Sequence, residues 1–221
     1  MNQIFNMDRK FFAVMGRVAD LIVLNLTFLA CCLPVVTIGA SVTALYYVTL
    51  KMVRKEEAYL VRSFLKSFRQ NFRQSTLIWG ILLLAALLLS ADFAIIRLFS
   101  DTLLSWLRYP LLVIFLFLAM IFFYVFPILA KFENTLWGTL RNALLMSLRH
   151  LPYTLAILIL SIVPMGVTLS HPVVFAYGLF IWIMLGFSLT AFLNSRFFVR
   201  IFDQYLPSEE GSAKTDSFPH P

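Results

Sequence analysis

The amino-acid sequence predicts an all-α, polytopic membrane helix bundle, and three features of its 221 residues support this. Hydrophobic residues make up 61% of the chain and charged residues 13%, whereas a soluble domain has about 45–50% and about 25%. Mean hydropathy is +0.86. Apolar runs long enough to cross a bilayer alternate with basic segments. We expect about six membrane helices, five of them clear and one short or re-entrant, with two cytoplasmic amphipathic helices.

The first apolar stretch, residues 18–53, is too long for one membrane helix. As a helix it would extend about 54 Å, against a hydrocarbon core of about 30 Å. Pro34 and Gly39 are the expected helix break, because proline removes a helical hydrogen bond and glycine tolerates a turn. Residues 21–36 would lead outward, and residues 41–53 would return as a short span or a re-entrant half-helix. The preceding residues suggest an uncleaved cytoplasmic N-terminus.

The next stretch, residues 51–73, is strongly basic and predicts an amphipathic helix at a water interface. An apolar stripe recurs every fourth residue, at Leu60, Phe64, Phe68 and Phe72. A second face carries the cations Arg62, Lys66, Arg69 and Arg73. Each Lys or Arg costs about 3 kcal/mol at the centre of a membrane helix, so this stretch is expected to lie outside the hydrocarbon.

The rest of the chain continues the alternation of spans and basic helices. Residues 76–96 and 110–130 predict two spans, joined by an exposed loop at 97–109. Residues 131–151 predict a second interfacial helix, with a leucine stripe from Leu136 to Leu148 and with Arg141 and Arg149 off that stripe. Residues 154–169 and 173–193 would form a last hairpin. The tail, 207–221, is expected to be disordered and to follow one membrane domain, 1–206.

The distribution of cations predicts the orientation in the cell membrane. Of the 18 Lys and Arg, only Arg97 and Arg108 would lie outside if both termini and both basic helices face the cytoplasm. This bias predicts cytoplasmic termini. The net charge of +7 then suggests contact with anionic membrane lipid, and we expect no nucleic-acid partner because the cations are spread over several membrane-flanking segments.

The layout also contains an internal similarity. At an offset of about 77 residues, Tyr47 and Val48 match Tyr124 and Val125, and Glu56 matches Glu133. At an offset of about 76, the basic helices match each other. A third, weaker copy pairs residues 132–135 with 192–195. Three hairpin repeats, 18–73, 76–151 and 154–206, would explain this pattern. The alternative is that hairpins with amphipathic exit helices resemble one another without duplication, and both explanations stay open.

Three segments carry a family resemblance: LPVVTIGASVTALYYVTLK from Leu33, FLKSFRQNFRQSTLIW from Phe64, and FLNSRFFVRIFDQYLP from Phe192. Together they resemble the YesL family of small bacterial membrane proteins, a domain of unknown function, with Pro34 and Asp203 among the marked positions. The resemblance covers most of the chain. It implies a product of sugar utilisation loci, near sugar ABC transporters, and it implies no catalytic residue.

A second resemblance concerns a docking loop of ABC importer permeases, which has the form E-A-A, then Gly, then Leu-Pro. Here Glu133, Gly138 and the pair Leu151-Pro152 follow the same order, although Gly138 comes one residue early and both alanines are missing. Coincidence in an apolar sequence is the alternative explanation. If the similarity is functional, residues 131–152 would lay a helix against a cytoplasmic partner.

No group of residues predicts catalysis, a metal or a cofactor. Cys31 and Cys32 are adjacent in a span and suggest packing, and the three histidines are scattered as solvated loop or terminal residues. We therefore expect a protein that is not an enzyme. The favoured function is an accessory or scaffold component of carbohydrate uptake, and the expected partners are sugar ABC transporter components. The alternatives are a permease subunit of such a transporter and, ranked last, a membrane enzyme.

Overall fold

A computed structural model describes residues 2–56, 59–98 and 106–205, and within these ranges every regular element is helical. Within the described part of the chain, six helical segments are long and apolar enough to cross a membrane, which confirms the predicted bundle. The helices are α1 Asn2–Cys32, α2 Ile38–Val53, α3 Leu60–Leu98, α4 Arg108–Lys131, α5 Leu136–Arg149, α6 Leu151–Ser170, α7 Pro172–Ile181 and α8 Phe187–Phe202. The predicted loop 97–109 is shorter at both ends, because residues 97–98 belong to α3 and residues 108–109 to α4, and its middle, 99–105, lies outside the described residues. The tail 207–221 lies wholly outside them.

The turn between α1 and α2 confirms Pro34 as a break. A short 3-10 helix, Val35–Thr37, follows the proline, and the Thr37 hydroxyl donates to the Cys31 carbonyl at 2.6 Å and to the Pro34 carbonyl at 2.7 Å. The prediction for Gly39 is corrected, because this glycine lies inside the first turn of α2. A Cβ there would lie 2.6 Å from the Ser75 carbonyl oxygen. Gly39 thus permits close packing of α2 on α3.

The α1–α2 turn lies beside the middle of α3 and α4. The indole nitrogen of Trp79 donates to the Val35 carbonyl at 2.9 Å, and the Trp79 ring centroid lies 6.1 Å from that of Phe122. Beyond Trp79, α3 continues to Leu98, about 28 Å at 1.5 Å per residue. The 3-10 turn and α2 together, Val35–Val53, are one of the six described segments long and apolar enough to cross a membrane, and the re-entrant alternative stays a prediction.

Residues 51–73 do not form one amphipathic helix, which corrects that prediction. α2 ends at Val53, and Lys55 takes a left-handed backbone conformation with φ 59°. The chain then turns, and α3 begins at Leu60. From there the basic segment continues without a break into the predicted span at 76–96, because neither proline nor glycine interrupts residues 60–79. The stretch thus combines the end of one helix with the start of another.

A buried amide joins α1 to the junction between α7 and α8. Between α7 and α8, residues Trp182–Gly186 form a π-helical turn, which leaves backbone groups without their usual α-helical partners. The Asn25 amide nitrogen donates to the carbonyls of Trp182 and Ile183 at 3.0 and 2.7 Å, and its oxygen accepts from the Ser188 N–H at 2.9 Å. Asn25 is fully buried and satisfies these groups inside the bundle.

The core surrounds α2. The pair Ala40 and Ala44 is fully buried, as expected for a small-residue packing face. Edge-to-face aromatic contacts pack α8 into the core: the ring centroid of Phe198 lies 5.1 Å from that of Tyr124 and 5.7 Å from that of Tyr46. α2 is therefore the central helix, and the other spans present most of their surface outward.

Candidate functional site

The ends of four helices meet at one end of the bundle, which we call the basic end. Arg54, just after α2, forms an ion pair with Asp203, just after α8. The ring centroid of Phe132, just after α4, lies 5.2 Å from that of Phe202. His150, just after α5, lies 3.1 Å from the Tyr205 hydroxyl through Nε2. These contacts hold together the ends of the helices that border the basic segments.

The first part of α3 presents four cations along its outer side. We call Arg62, Lys66, Arg69 and Arg73 the basic strip. All four are exposed, and Phe64, on the opposite face, is fully buried. The strip extends about 16 Å along the helix. Among the described side chains no carboxylate pairs with any of the four, so the strip is a row of cations available to an anionic surface.

The linker between α4 and α5 is held against α3. Gln74, which follows the strip, donates from Nε2 to the Asn134 carbonyl at 2.8 Å. The Thr135 side chain caps α5 by accepting from the Gly138 N–H at 3.2 Å, and the Thr139 hydroxyl donates to the Thr135 carbonyl at 2.9 Å. The strip and the linker therefore adjoin, and the start of α5 is fixed in place.

The outer face of α5 exposes an indole. Trp137 is 77% exposed, and Glu133 and Arg141 are also exposed. The predicted leucine stripe is only partly buried, which corrects the predicted inner face. The fully buried positions lie one residue earlier in the four-residue repeat, at Thr139, Ala143 and Ser147. Small side chains allow close contact with the neighbouring helices, so α5 packs more tightly than the leucine pattern implies.

The end of α5 is also fixed. The Arg149 guanidinium lies 5.5 Å from the centroid of the Tyr205 ring, whose hydroxyl contacts His150. Burial, together with the charge of Arg149, lowers the pKa of His150 from its usual value of 6.5. His150 was predicted to be a solvated loop residue, and this contact corrects that prediction. Arg149 therefore differs from the strip cations in having an aromatic partner.

The structure brings only part of the predicted set together. Arg73 precedes the residue that holds the linker, and the linker carries Glu133 and leads to Gly138. Arg149 lies at the opposite end of α5, and Pro34 and Gly39 belong to the α1–α2 turn. In the described part of the chain no group of three His, Cys, Asp or Glu residues is placed to hold a metal ion. What the arrangement offers is a cationic strip beside an exposed, capped helix.

Sequence reasoning missed the residues that hold this surface in place. Gln74 was an ordinary polar residue in a basic stretch, and its role depends on a contact with a backbone carbonyl sixty positions later. The pairing of Arg54 with Asp203 had a usable signal, because both are charged residues at the ends of apolar spans. No sequence signal marked Tyr205, since its contacts, with Arg149 and His150, come from the end of a helix distant in the sequence.

Comparison with known proteins gives a family match of unknown function. Residues 21–93, from within α1 to near the end of α3, match the family described as protein of unknown function, DUF624. The chain is 31% identical over 124 residues to the uncharacterized protein YteU of Bacillus subtilis (strain 168), and the match covers 55% of each chain. The chain thus spans about half the length of this curated relative. No solved structure matches. The resemblance to a domain of unknown function is supported, and membership of the YesL family stays a prediction.

Proposed function

We propose that this chain is a non-catalytic membrane protein that serves as an accessory or scaffold component of carbohydrate uptake. The observation that carries the proposal is the outer face of α5, where Trp137 is 77% exposed on a helix whose other face is buried. Exposed tryptophan is enriched where proteins bind one another, because its large ring gains most from burial in a partner. The link to carbohydrate comes from the sequence resemblance to YesL proteins.

The two surfaces at the basic end have separate parts in this proposal. The basic strip contacts anionic lipid headgroups, which holds the end of the bundle at the membrane surface. The α5 face docks a component of a sugar ABC transporter, as a helix seated in a groove. The clamp by Gln74 gives the face a fixed orientation, so docking costs little conformational entropy.

In-cell crosslinking tests this proposal. A photoreactive residue in place of Trp137 is expected to capture a transporter permease or ATPase, identified by mass spectrometry. The matched control is the same residue in place of Trp106, which is 70% exposed and precedes α4 at the other end of the bundle. Capture of the same proteins from both positions, or of lipid alone from Trp137, would contradict the docking role.

A permease subunit is the alternative function, and one observation favours it. Glu133, Gly138 and Leu151 keep the order of the permease docking loop, and the exposed Glu133 lies two residues before Thr135, the residue that caps α5. In that case the protein itself moves the sugar. Purified protein in liposomes, with the partner ATPase and ATP, would then take up a labelled oligosaccharide, whereas an accessory protein would leave uptake at the level of empty liposomes.

A further inference from the structure

An apolar cleft lies between α1, α2, α4, α6 and α8. Its volume is about 550 Å³, within the range of sites that bind small ligands. Aromatic rings form much of its wall, among them Phe28 on α1, Phe123 on α4 and Phe187 on α8. No Asp, Glu, Lys, Arg or His is among the described residues that line it. A charged occupant would therefore lose its hydration without gaining an ionic partner.

The cleft opens along α6, which is one of the membrane-spanning segments. The Ser161 hydroxyl, in the middle of α6, accepts from the Asn194 amide nitrogen at 2.9 Å, and the Thr168 hydroxyl, near its end, accepts from the Trp182 indole at 3.0 Å. Close to these two contacts, four residues of α6 line the cleft and are nevertheless exposed: Ile162, Met165, Gly166 and Leu169. They form the rim of an opening towards the surrounding membrane.

The wall of the cleft offers little to hold water. Its polar side chains bond within the protein, as Ser161 and Trp182 do, and the Thr190 hydroxyl donates to the Gly186 carbonyl at 2.9 Å. Oδ1 of Asn194 has no hydrogen-bond partner, but this atom is buried and an occupant cannot reach it. A buried water typically makes about three hydrogen bonds. The cleft is therefore suited to neither a charged nor an aqueous occupant.

A second hollow adjoins the cleft. It has a volume of about 300 Å³ and lies between α3 and α4, with Leu82 and Phe115 in its wall. Its described lining residues are all hydrophobic. Phe122, Phe123 and Ile162 line both spaces, so the apolar space continues from one into the other.

We propose that the cleft binds one acyl chain of a bilayer phospholipid. The chain enters past Ile162 on α6 and lies against the aromatic wall, and the headgroup stays outside because the wall holds no ionic partner for it. The membrane around α6 supplies such chains, and filling the space restores the close packing that a helix bundle otherwise has. This site does not depend on the docking face or on the function proposed for it.

Photolabelling of the full chain in nanodiscs tests the site. The nanodiscs consist of phosphatidylcholine, a small fraction of which carries a diazirine in one acyl chain, and mass spectrometry locates the label. Leu155, which is 61% exposed on α6 and does not line the cleft, reports contact with the surrounding lipid. We expect label also at Val42 and Phe187, half-buried residues of the cleft wall. Label at Leu155 without label at Val42 and Phe187 would overturn the proposal.

Two matched variants on α6 locate the entry. Ile162→Trp enlarges a residue at the rim and is expected to lose most of the label at Val42, with the label at Leu155 unchanged. Ile159→Trp is the control, because Ile159 is similarly exposed, 51% against 54%, and does not line the cleft. It should keep the label at Val42. Equal labelling of Val42 in the two variants would contradict the assignment. If Ile162→Trp does not fold, as judged by gel filtration, the comparison of Val42 with Leu155 in the unmodified chain still decides the result.

Discussion

Two regions of this protein repeat one arrangement with different surfaces. In each, an apolar helix is followed by a linker, an amphipathic segment and a span: α2 with α3, and α4 with α5 and α6. At the offset of 76 residues, buried Ser67 matches buried Ala143. The strip positions of Arg62, Lys66 and Arg69 correspond to Gly138, Asn142 and Leu145. The comparison shows how one scaffold can present a row of four cations in one place and, in the other, an exposed indole with fewer cations.

The two regions also differ in how they continue. α3 is one helix of 39 residues, whereas the second region breaks at His150, with φ −114° and ψ 46°, before α6 begins. Pro152, in the first turn of α6, matches Thr76 in the interior of α3. Proline is tolerated in the first turn of a helix and not in its interior. This difference explains why α5 is a separate element and the basic strip is not. Whether the similarity reflects duplication stays a prediction.

The largest effect is expected from removing the charge of the basic strip. Replacing all four cations with glutamine should weaken binding to vesicles that contain phosphatidylglycerol by about 4 kcal/mol, at about 1 kcal/mol per cation. Arg141→Gln, on α5, should change binding far less. A variant with lysine at all four strip positions is the control and should bind as the parent does. If Arg141→Gln weakened vesicle binding as much as the change of all four strip cations, the contrast between the faces of α3 and α5 would be contradicted. Flotation of the purified protein with vesicles measures both.

The second-largest effect is expected on stability, from placing a proline in α3 at the position that matches Pro152. Thr76→Pro should destabilise the protein by about 3 kcal/mol or more, because it removes a hydrogen bond inside α3 and clashes with the preceding turn. Thr76→Ala is the control for loss of the side chain. Pro152→Ala should have little effect, since Pro152 lies where no helical N–H is needed. Thermal unfolding in detergent measures all three. Similar losses for Thr76→Pro and Pro152→Ala would mean that α3 is not continuous.

The sequence predicted more of the helices than of their contacts. Hydropathy identifies spans, because burial in lipid requires apolar residues whatever the fold. It therefore found the long spans and the break at Pro34. It did not show that residues 51–73 belong to two helices, since the left-handed residue Lys55 has no marked sequence signal. It also missed Gln74 and the unpartnered oxygen of Asn194, because both depend on helices that meet only after folding.

Because α2 packs closely on α3, adding a side chain at Gly39 should cause a loss of stability of intermediate size. Gly39→Ala would place a Cβ 2.6 Å from the Ser75 carbonyl oxygen and 2.7 Å from Cβ of Trp79. We expect a loss of about 1–3 kcal/mol, typical of overpacking. Gly80→Ala is the matched control, because nothing lies within 4 Å of a Cβ there. It should be neutral or stabilising by up to about 1 kcal/mol, through helix propensity. Equal effects of both changes on the thermal midpoint would contradict the close contact.

The smallest effect is a dependence of stability on pH at the end of α5. The pKa of His150 is lower in the folded protein than its ordinary value of 6.5, so the folded state favours the neutral ring. The resulting stability is fully present above the ordinary pKa and is lost as the pH falls through the folded pKa. The thermal midpoint should therefore fall between pH of about 7.5 and about 5.5, and His150→Gln should reduce that slope. If the thermal midpoint of His150→Gln depended on pH as that of the parent does, His150 would not contribute to the pH dependence of stability.

The most direct test of the comparison is whether the two amphipathic segments lie on the same side of the membrane. Single cysteines are placed at Lys66, on α3, at Trp137, on α5, and at Trp106, before α4, with Cys31 and Cys32 replaced by alanine. A membrane-impermeant thiol reagent is then applied to intact cells and to inside-out vesicles. We expect the cysteines at positions 66 and 137 to react only in the vesicles and the cysteine at position 106 to react only in intact cells. Reaction of the cysteines at positions 66 and 137 from opposite sides would contradict the comparison.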